Sequence, residues 1–470
     1  MNLYYNNKIT IYLFIFIFFC TLAISILIQK ILIPEIFQHK DDLIQFIDLG
    51  LIVPDSIYFH NLAVEQLLIM NKVGFLEGWK IKIEANFPPA LASAVYYFFG
   101  VDPIYILPIN SLIHACSTCI FLLIINYFFN IKLSVFLSLV FAFNPQVFEW
   151  VSQLHKDGIF VLGSLLFIKI SIEIIINLQK NISTINKLPK IVCLFLLSIG
   201  LIWLSRPYML NYVSIFFVLS IFISLYYFFS FNKNLDKFIL LITLSSLLSF
   251  NIFIIYSFVK SEKNNIKMLA AAKILNNCST EINQNKNEAC PLKAYKNKLI
   301  YTAHIPKWNT SFLPNKIESA FYKINIARYW SIQQKGNSVY SNKIFESTYE
   351  LTSYTPIALF YGLFSPLPNL WSGDASNDMY SLGRKLMGVF SVFSFICIPF
   401  ILYGLITNKR KLPFTYLILY CFGGIVLFTL VSVNVGTIIR YRYVYHSIIF
   451  CLGFGYLSRF LFSKFKRNKK

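Results

Sequence analysis

From Ile9 to Ile28 the chain is almost unbroken in apolar side chains, a run of about 20 residues that suffices, as a helix, to cross the hydrocarbon core of a bilayer. Comparable runs recur at 104–129, 133–150, 158–178, 191–205, 208–231, 238–259, 385–406, 413–434 and 443–462. The pattern predicts an all-α integral membrane protein with about ten transmembrane helices. Composition agrees: 57% of the 470 residues are hydrophobic and 13% are charged, against about 25% charged in a soluble domain. Most of this chain is solvated by lipid. The first run has no small-residue cleavage site, so it reads as a retained helix and not as a removed signal peptide.

The formal net charge of +21 acquires meaning from its placement. A nucleic-acid-binding protein gathers its basic residues on one soluble face; here they lie mainly between apolar runs, which argues for membrane orientation and against a nucleic-acid partner. Short cytoplasmic loops are enriched in Lys and Arg. Lys132; Lys180, Lys187 and Lys190; Lys233 and Lys237; Lys409, Arg410 and Lys411; and the tail from Lys464 to Lys470 all fall on one side if there are ten spans and both termini are cytoplasmic. The expected location is a bacterial cytoplasmic (inner) membrane. Three polar regions then face outward: 34–103, 260–384 and the turn around 434–442. The first two are expected to form a small extracytoplasmic cap on a single polytopic domain covering 1–470. Within the second, Thr352–Leu370 is apolar but broken by Pro356, Pro366 and Pro368, as expected of a helix lying on or dipping into the outer leaflet. Seven of the nine cysteines sit in apolar runs and act as small hydrophobes, Cys116 and Cys119 among them. Cys278 and Cys290 share one long polar loop, where an outward location permits a disulfide.

Ionisable groups at membrane level are costly and tend to mark function, and five positions on the expected outer face stand out. Asp55 follows Pro54 and opens a run with apolar residues at helical spacing. Two roles are open to it: a helix cap, with Asp55 or Ser56 accepting orphan backbone N–H groups, or a general base with proton affinity raised by a low-dielectric surface. His155-Lys156-Asp157 follows the third run and is either an interfacial ion pair or a second acidic or phosphate-facing group. Arg206-Pro207 sits between two runs, where an Arg snorkels to headgroups or serves a site. The segment Asn434–Tyr443 carries Arg440 and Arg442 against the positive-inside bias, and the planar Arg fork binds phosphate oxygens bidentately. Tyr441 and Tyr443 are expected as interfacial belt residues. There is no Walker-type nucleotide loop, no G-x-S-x-G and no Cys/His set with zinc spacing, which fits a donor delivered within the membrane.

Taken in order, Asp55 with Tyr58 and Ala63, Phe87-Pro88-Pro89, Pro145 followed by Ser152 and Lys156-Asp157, Arg206-Pro207, Ser365-Pro366-Leu367-Pro368, and Asn434-Val435-Gly436-Thr437 through Arg442 resemble bacterial C-type glycosyltransferases. These are polyprenyl-phosphate-sugar-dependent membrane enzymes related to the protein mannosyltransferases and lipid A aminoarabinose transferases. The resemblance spans about residues 9–460 through short motifs. It implies a sugar transferred from a polyprenyl-phosphate carrier to a glycan, lipid or protein acceptor at the outer face, with inversion. Asp55 takes the role of base or substrate-orienting acid, and Asp157 that of a second catalytic acid. Arg206, Arg440 and Arg442 become candidates for the carrier phosphate, and Tyr58, His60 and Lys156 for further substrate contacts. Pro54-Asp55-Ser56 departs from the family's more usual Gly-Asp-Glu, so no second acid adjoins Asp55; no cofactor is expected, although a divalent metal stays open. An O-antigen-type polysaccharide polymerase or ligase, using larger diphosphate-linked substrates, is the alternative. A lipid transporter or flippase ranks third, because it calls for ionisable groups along a route through the helices and these cluster on one face.

Overall fold

The computed structural model describes residues 3–37, 44–84, 86–180, 185–230, 243–252, 308–309, 313–333, 342–371, 378–408 and 411–467. Among these residues the protein is all-α; backbone pairing outside helices is limited to two isolated bridges, Ile83 with Asn86 and Asn309 with Ser347. In chain order the helices that position the site are α1 (Leu3–Leu27), α2 (Pro54–Val73), α3 (Pro88–Phe99), α4 (Leu107–Ile125), α5 (Ile131–Ala142), α6 (Pro145–Val151), α7 (Asp157–Gln179), α8 (Leu188–Ser205), α9 (Leu210–Ser230), α10 (Thr355–Phe364), α11 (Asp378–Cys397), α12 (Lys411–Val431) and α13 (Val435–Arg467).

Eight helical segments among the described residues are long and apolar enough to cross a membrane: Lys8–Ile36, Pro103–Ile125, Asp157–Gln179, Leu188–Ser205, Pro207–Tyr227, Lys385–Thr407, Lys411–Val431 and Val435–Phe462. The chain is a multi-pass membrane protein. The sequence led us to expect ten spans; of the other two, one is bent and one falls partly outside the described residues. The run 133–150 is not one rod: α5 and α6 meet at a 56° bend. Its cause is local. Pro145 has no N–H to continue the helix, and Asn144 Oδ1 instead accepts the Gln146 N–H at 3.1 Å, capping a new start. Of the run 238–259 only the helix Thr243–Ile252 lies within the described residues. Cys278 and Cys290 lie outside them. Cys116 and Cys119 are free thiols on α4, the latter against the Thr10 carbonyl at 3.5 Å.

The helix α7 runs through the middle, buried nearly along its length and packed on α4, α8, α9 and α12. Its approach to α8 depends on small residues, as is usual where no hydrophobic drive separates helix from lipid. A Cβ on Gly163 would stand 3.0 Å from the Ile202 side chain, and Ser198 Oγ donates to the Gly163 carbonyl at 2.8 Å. By contrast, α2 and α3 form a hairpin beside the bundle. Phe59, Ala63 and Leu67 interleave with Ala92 and Tyr96, and His60 Nδ1 meets Tyr96 Oη at 2.9 Å. Gly74 ends α2 at φ +90°, a conformation that suits a residue without Cβ. The outer flank of this hairpin is apolar yet exposed at Leu68, Ile69, Phe98 and Phe99, as befits an interfacial element.

The helix α10, 10 residues long, is too short to span. It packs on α12, where Gly362 leaves room for Ile425 and Thr429. The connectivity brings four helix ends to one end of the bundle: the starts of α2, α7 and α13 and the finish of α8.

Candidate active site

Each of those ends delivers charge. The sixth residue of α13, Arg440, reaches two carboxylates at once: its Nη2 lies 3.0 Å from Asp55 Oδ2 and its Nε 3.3 Å from Asp157 Oδ2. His155 stands between the same two acids, with Nε2 3.6 Å from Asp55 and Nδ1 3.1 Å from Asp157. On the far side Arg206 grips the other oxygen of Asp157. Residues separated by up to 385 positions therefore form one chain of alternating sign: Asp55, Arg440 and His155, Asp157, Arg206.

The members of that chain differ in access. Arg206 is 1% exposed and Asp157 3%. The Arg206 guanidinium lies over the Tyr441 ring at 3.8 Å and is flanked by Phe160 and Phe428, so cation–π contact and the buried carboxylate together replace its hydration. Asp55, with 42% of its side chain exposed, and the partly exposed Arg440 face an opening. Lys156 is half-buried beside them, its Nζ 3.3 Å from Asn86 Oδ1. Tyr208 is 51% exposed and the Glu149 side chain is exposed. The exposed parts of Asp55, Arg440 and Lys156 beside the buried Asp157–Arg206 pair outline a cleft. Four bases and three acids bound it.

Protonation follows from these contacts. The Asp55 carboxyl is held well below its usual range, first by its contact with His155 and then by the charge of Arg440, against a burial effect in the opposite direction. The sequence suggested a raised proton affinity; the neighbouring cations reverse it. Burial alone would discharge His155, but the charge of Asp157 and the close contacts with both acids outweigh burial and raise its pKa. Burial, followed by the charge of Arg206, lowers Lys156. The capping role for Asp55 or Ser56 is not what the structure displays: Val53 occupies the cap position, no side chain caps the helix, and Ser56 Oγ is buried without a hydrogen-bond partner.

Asp55, Lys156, Asp157, Arg206 and Arg440 are thus brought together. The remaining candidates lie elsewhere. Tyr58 hydrogen-bonds Glu84, which pushes its phenol up to about 12, and His60 is committed to Tyr96 within the hairpin. Arg442 points away from the carboxylates and donates to the carbonyls of Tyr361, Gly362 and Ser365 at the end of α10. Tyr443 is not a belt residue: it is buried and donates to the Phe141 carbonyl at 2.9 Å. Tyr441 instead floors Arg206.

Sequence reasoning gave no role to Lys82, to Tyr208 or to Glu149. Lys82 Nζ donates to the Trp203 carbonyl at 2.7 Å and covers that indole at 3.7 Å; burial draws its pKa down to about 8. With Asn86 on Lys156, this ties the first loop to α8 and to the residue before α7. The available signal was a lysine and an asparagine just before Phe87-Pro88-Pro89. Among the described residues no group of three His, Cys, Asp or Glu is placed to hold a metal ion. No protein-family model, curated protein or solved structure matches the chain.

Proposed function

We propose that the protein is a glycosyltransferase that takes a sugar from a polyprenyl-phosphate carrier and passes it to a glycan, lipid or protein hydroxyl. The observation that carries this reading is the shared guanidinium of Arg440, which couples Asp55 at the mouth of a cleft to a buried Asp157–Arg206 pair at the ends of membrane-spanning helices. Such a site has a use for lipid-anchored anions. A carrier phosphate arriving along the helices meets Arg440 and Lys156, the two accessible cations, while its tail remains in lipid. Arg206, saturated by Asp157 and aromatic rings, fixes the geometry.

In this mechanism the acceptor oxygen attacks the anomeric carbon from the face opposite the phosphate, and the carbon–oxygen bond to phosphate breaks with its electron pair. Arg440 and Lys156 neutralise the charge that develops on the leaving phosphate, the kind of preorganised stabilisation that dominates many enzymatic rate enhancements. Asp55, an anion fixed between His155 and Arg440, orients the acceptor hydroxyl. The configuration inverts. The topology consistent with this role has ten crossings, counting α5–α6 as one and including 238–259, with both termini cytoplasmic and the cleft at the outer face of a bacterial inner membrane.

The test is mass spectrometry of polyprenyl-linked lipids from cells producing wild type or Asp55→Asn. Accumulation of a monophosphate-linked sugar supports the transferase and names its donor. Accumulation of diphosphate-linked oligosaccharide would replace it with a polymerase or ligase. An unaltered lipid pool, with the variant at normal level, would remove Asp55 from any such chemistry.

A further inference from the structure

The three acids of the cleft are not equally free. Asp157 is buried among Arg206, Arg440 and His155. Asp55 gives one oxygen to both Arg440 and His155, and a carboxylate so engaged is a poor proton acceptor. Glu149 differs. It follows Gln146 by three residues on α6, so the two share a helix face, and Gln146 Nε2 donates to the carbonyl of Ile439, the neighbour of Arg440. Glu149 is therefore on the side of α6 that meets α13. The charges that act on it belong to Arg440 on α13, His155 in the α6–α7 connection, Asp157 on α7 and Asp55 on α2. None of the ion pairs among the described residues includes it, and its side chain is exposed.

We infer that Glu149 is the proton acceptor of the transfer. The role rests on the glycosyltransferase reading. As the acceptor oxygen bonds to the anomeric carbon, its proton passes to a Glu149 carboxylate oxygen, and the electron pair of the breaking carbon–oxygen bond leaves with the carrier phosphate beside Arg440 and Lys156. The duties of the acids then separate: Asp157 positions Arg440, Asp55 orients the hydroxyl and Glu149 takes the proton.

The experiment uses the monophosphate-linked sugar lipid purified from cells producing Asp55→Asn, offered to membranes that contain the wild-type protein or a Glu149 variant. Glu149→Gln is expected to lower turnover by roughly 10²- to 10⁴-fold, the usual contribution of a general base, and to lose the acidic limb of the pH–rate profile. Glu149→Asp should retain part of the activity. Added formate should restore turnover to Glu149→Ala, a rescue that a merely structural residue would not allow. Glu149→Gln turnover within twofold of wild type, with Asp55→Asn blocked, would overturn the role and leave the transferase intact. If Asp55→Asn accumulates no lipid-linked sugar at all, the transferase reading fails and this role falls with it.

Discussion

Arg440 and Arg442 stand two residues apart on α13 and have the same side chain, yet they do unrelated work. Two residues along an α-helix turn the direction by about 200°, so the pair faces opposite sides. Arg440 enters a cleft, shares carboxylates with two other helices and keeps some exposure. Arg442 is 2% exposed and fastens the end of α10 through carbonyl oxygens. One arginine neutralises charge; the other satisfies backbone that would be orphaned in an apolar setting. An outward arginine near a membrane surface is therefore no marker of ligand binding until its direction is known.

The contrast is broken most severely at Arg440. Arg440→Ala should lower sugar transfer by about 10³-fold, about 4 kcal/mol, the range seen when a preorganised charge-stabilising donor is removed, while the protein still inserts at normal level. Near wild-type turnover in membranes carrying this variant would take Arg440 out of the chemistry.

Next comes the buried partner that both arginines of the cluster share. Asp157→Asn leaves Arg206 as an uncompensated buried charge, expected to cost about 3 kcal/mol of stability. The double variant Asp157→Asn with Arg206→Met should regain much of that loss in thermal unfolding in nanodiscs, because removing both charges removes the desolvation penalty together with the attraction. Additive losses would show that the two residues are energetically independent. A smaller effect is expected at the anchor. Arg442→Ala should lower stability by about 2 kcal/mol through the carbonyls it abandons, while transfer per folded molecule stays near wild type.

The comparison also shows what the sequence could and could not convey. Hydrophobic length marked ten runs, among them the eight segments that are long and apolar enough to span, because a run of that length has few other solutions. Asp55, the Lys156–Asp157 pair, Arg206 and Arg440 were legible as costly charges at span ends, and the structure gathers them at one end of the bundle. Direction was not legible: Arg442 and Tyr443 carry the same composition signal as Arg440 and Tyr441, and only the helical phase, fixed by α10 and α5, separates them. Tyr58 and His60 were similarly persuasive by proximity to Asp55, but α2 turns them towards Glu84 and Tyr96. Glu149 stayed without a role because the run 133–150 reads as one continuous span. The Asn144-Pro145 break that faces it towards α13 is visible in sequence only if a proline inside an apolar run is taken as a new helix start.

The finest distinction concerns His155, which links the accessible acid to the buried one. Its pKa is raised above the ordinary 6.5 because the attraction of Asp157 and Asp55 exceeds the cost of burial. The folded protein thus binds this proton more tightly than the unfolded chain does, so the stabilisation is complete below about pH 6.5 and is lost as pH rises through the folded value. Asp55 has the opposite sign: its pKa lies below the ordinary 3.8, and its contribution, complete above that value, is lost as pH falls through the depressed one. Between the two ordinary values both contributions are present in full. Relative to His155→Gln, the thermal midpoint of the wild type in nanodiscs should therefore fall from pH 6 to pH 9; Lys82 and Lys156, whose pKa values are lowered, act with the opposite sign in both proteins. An identical slope in the variant would show that the imidazole holds no excess proton. Asp55 would then be fixed by Arg440 alone, and the accessible and buried acids would share a guanidinium with no histidine coupling them.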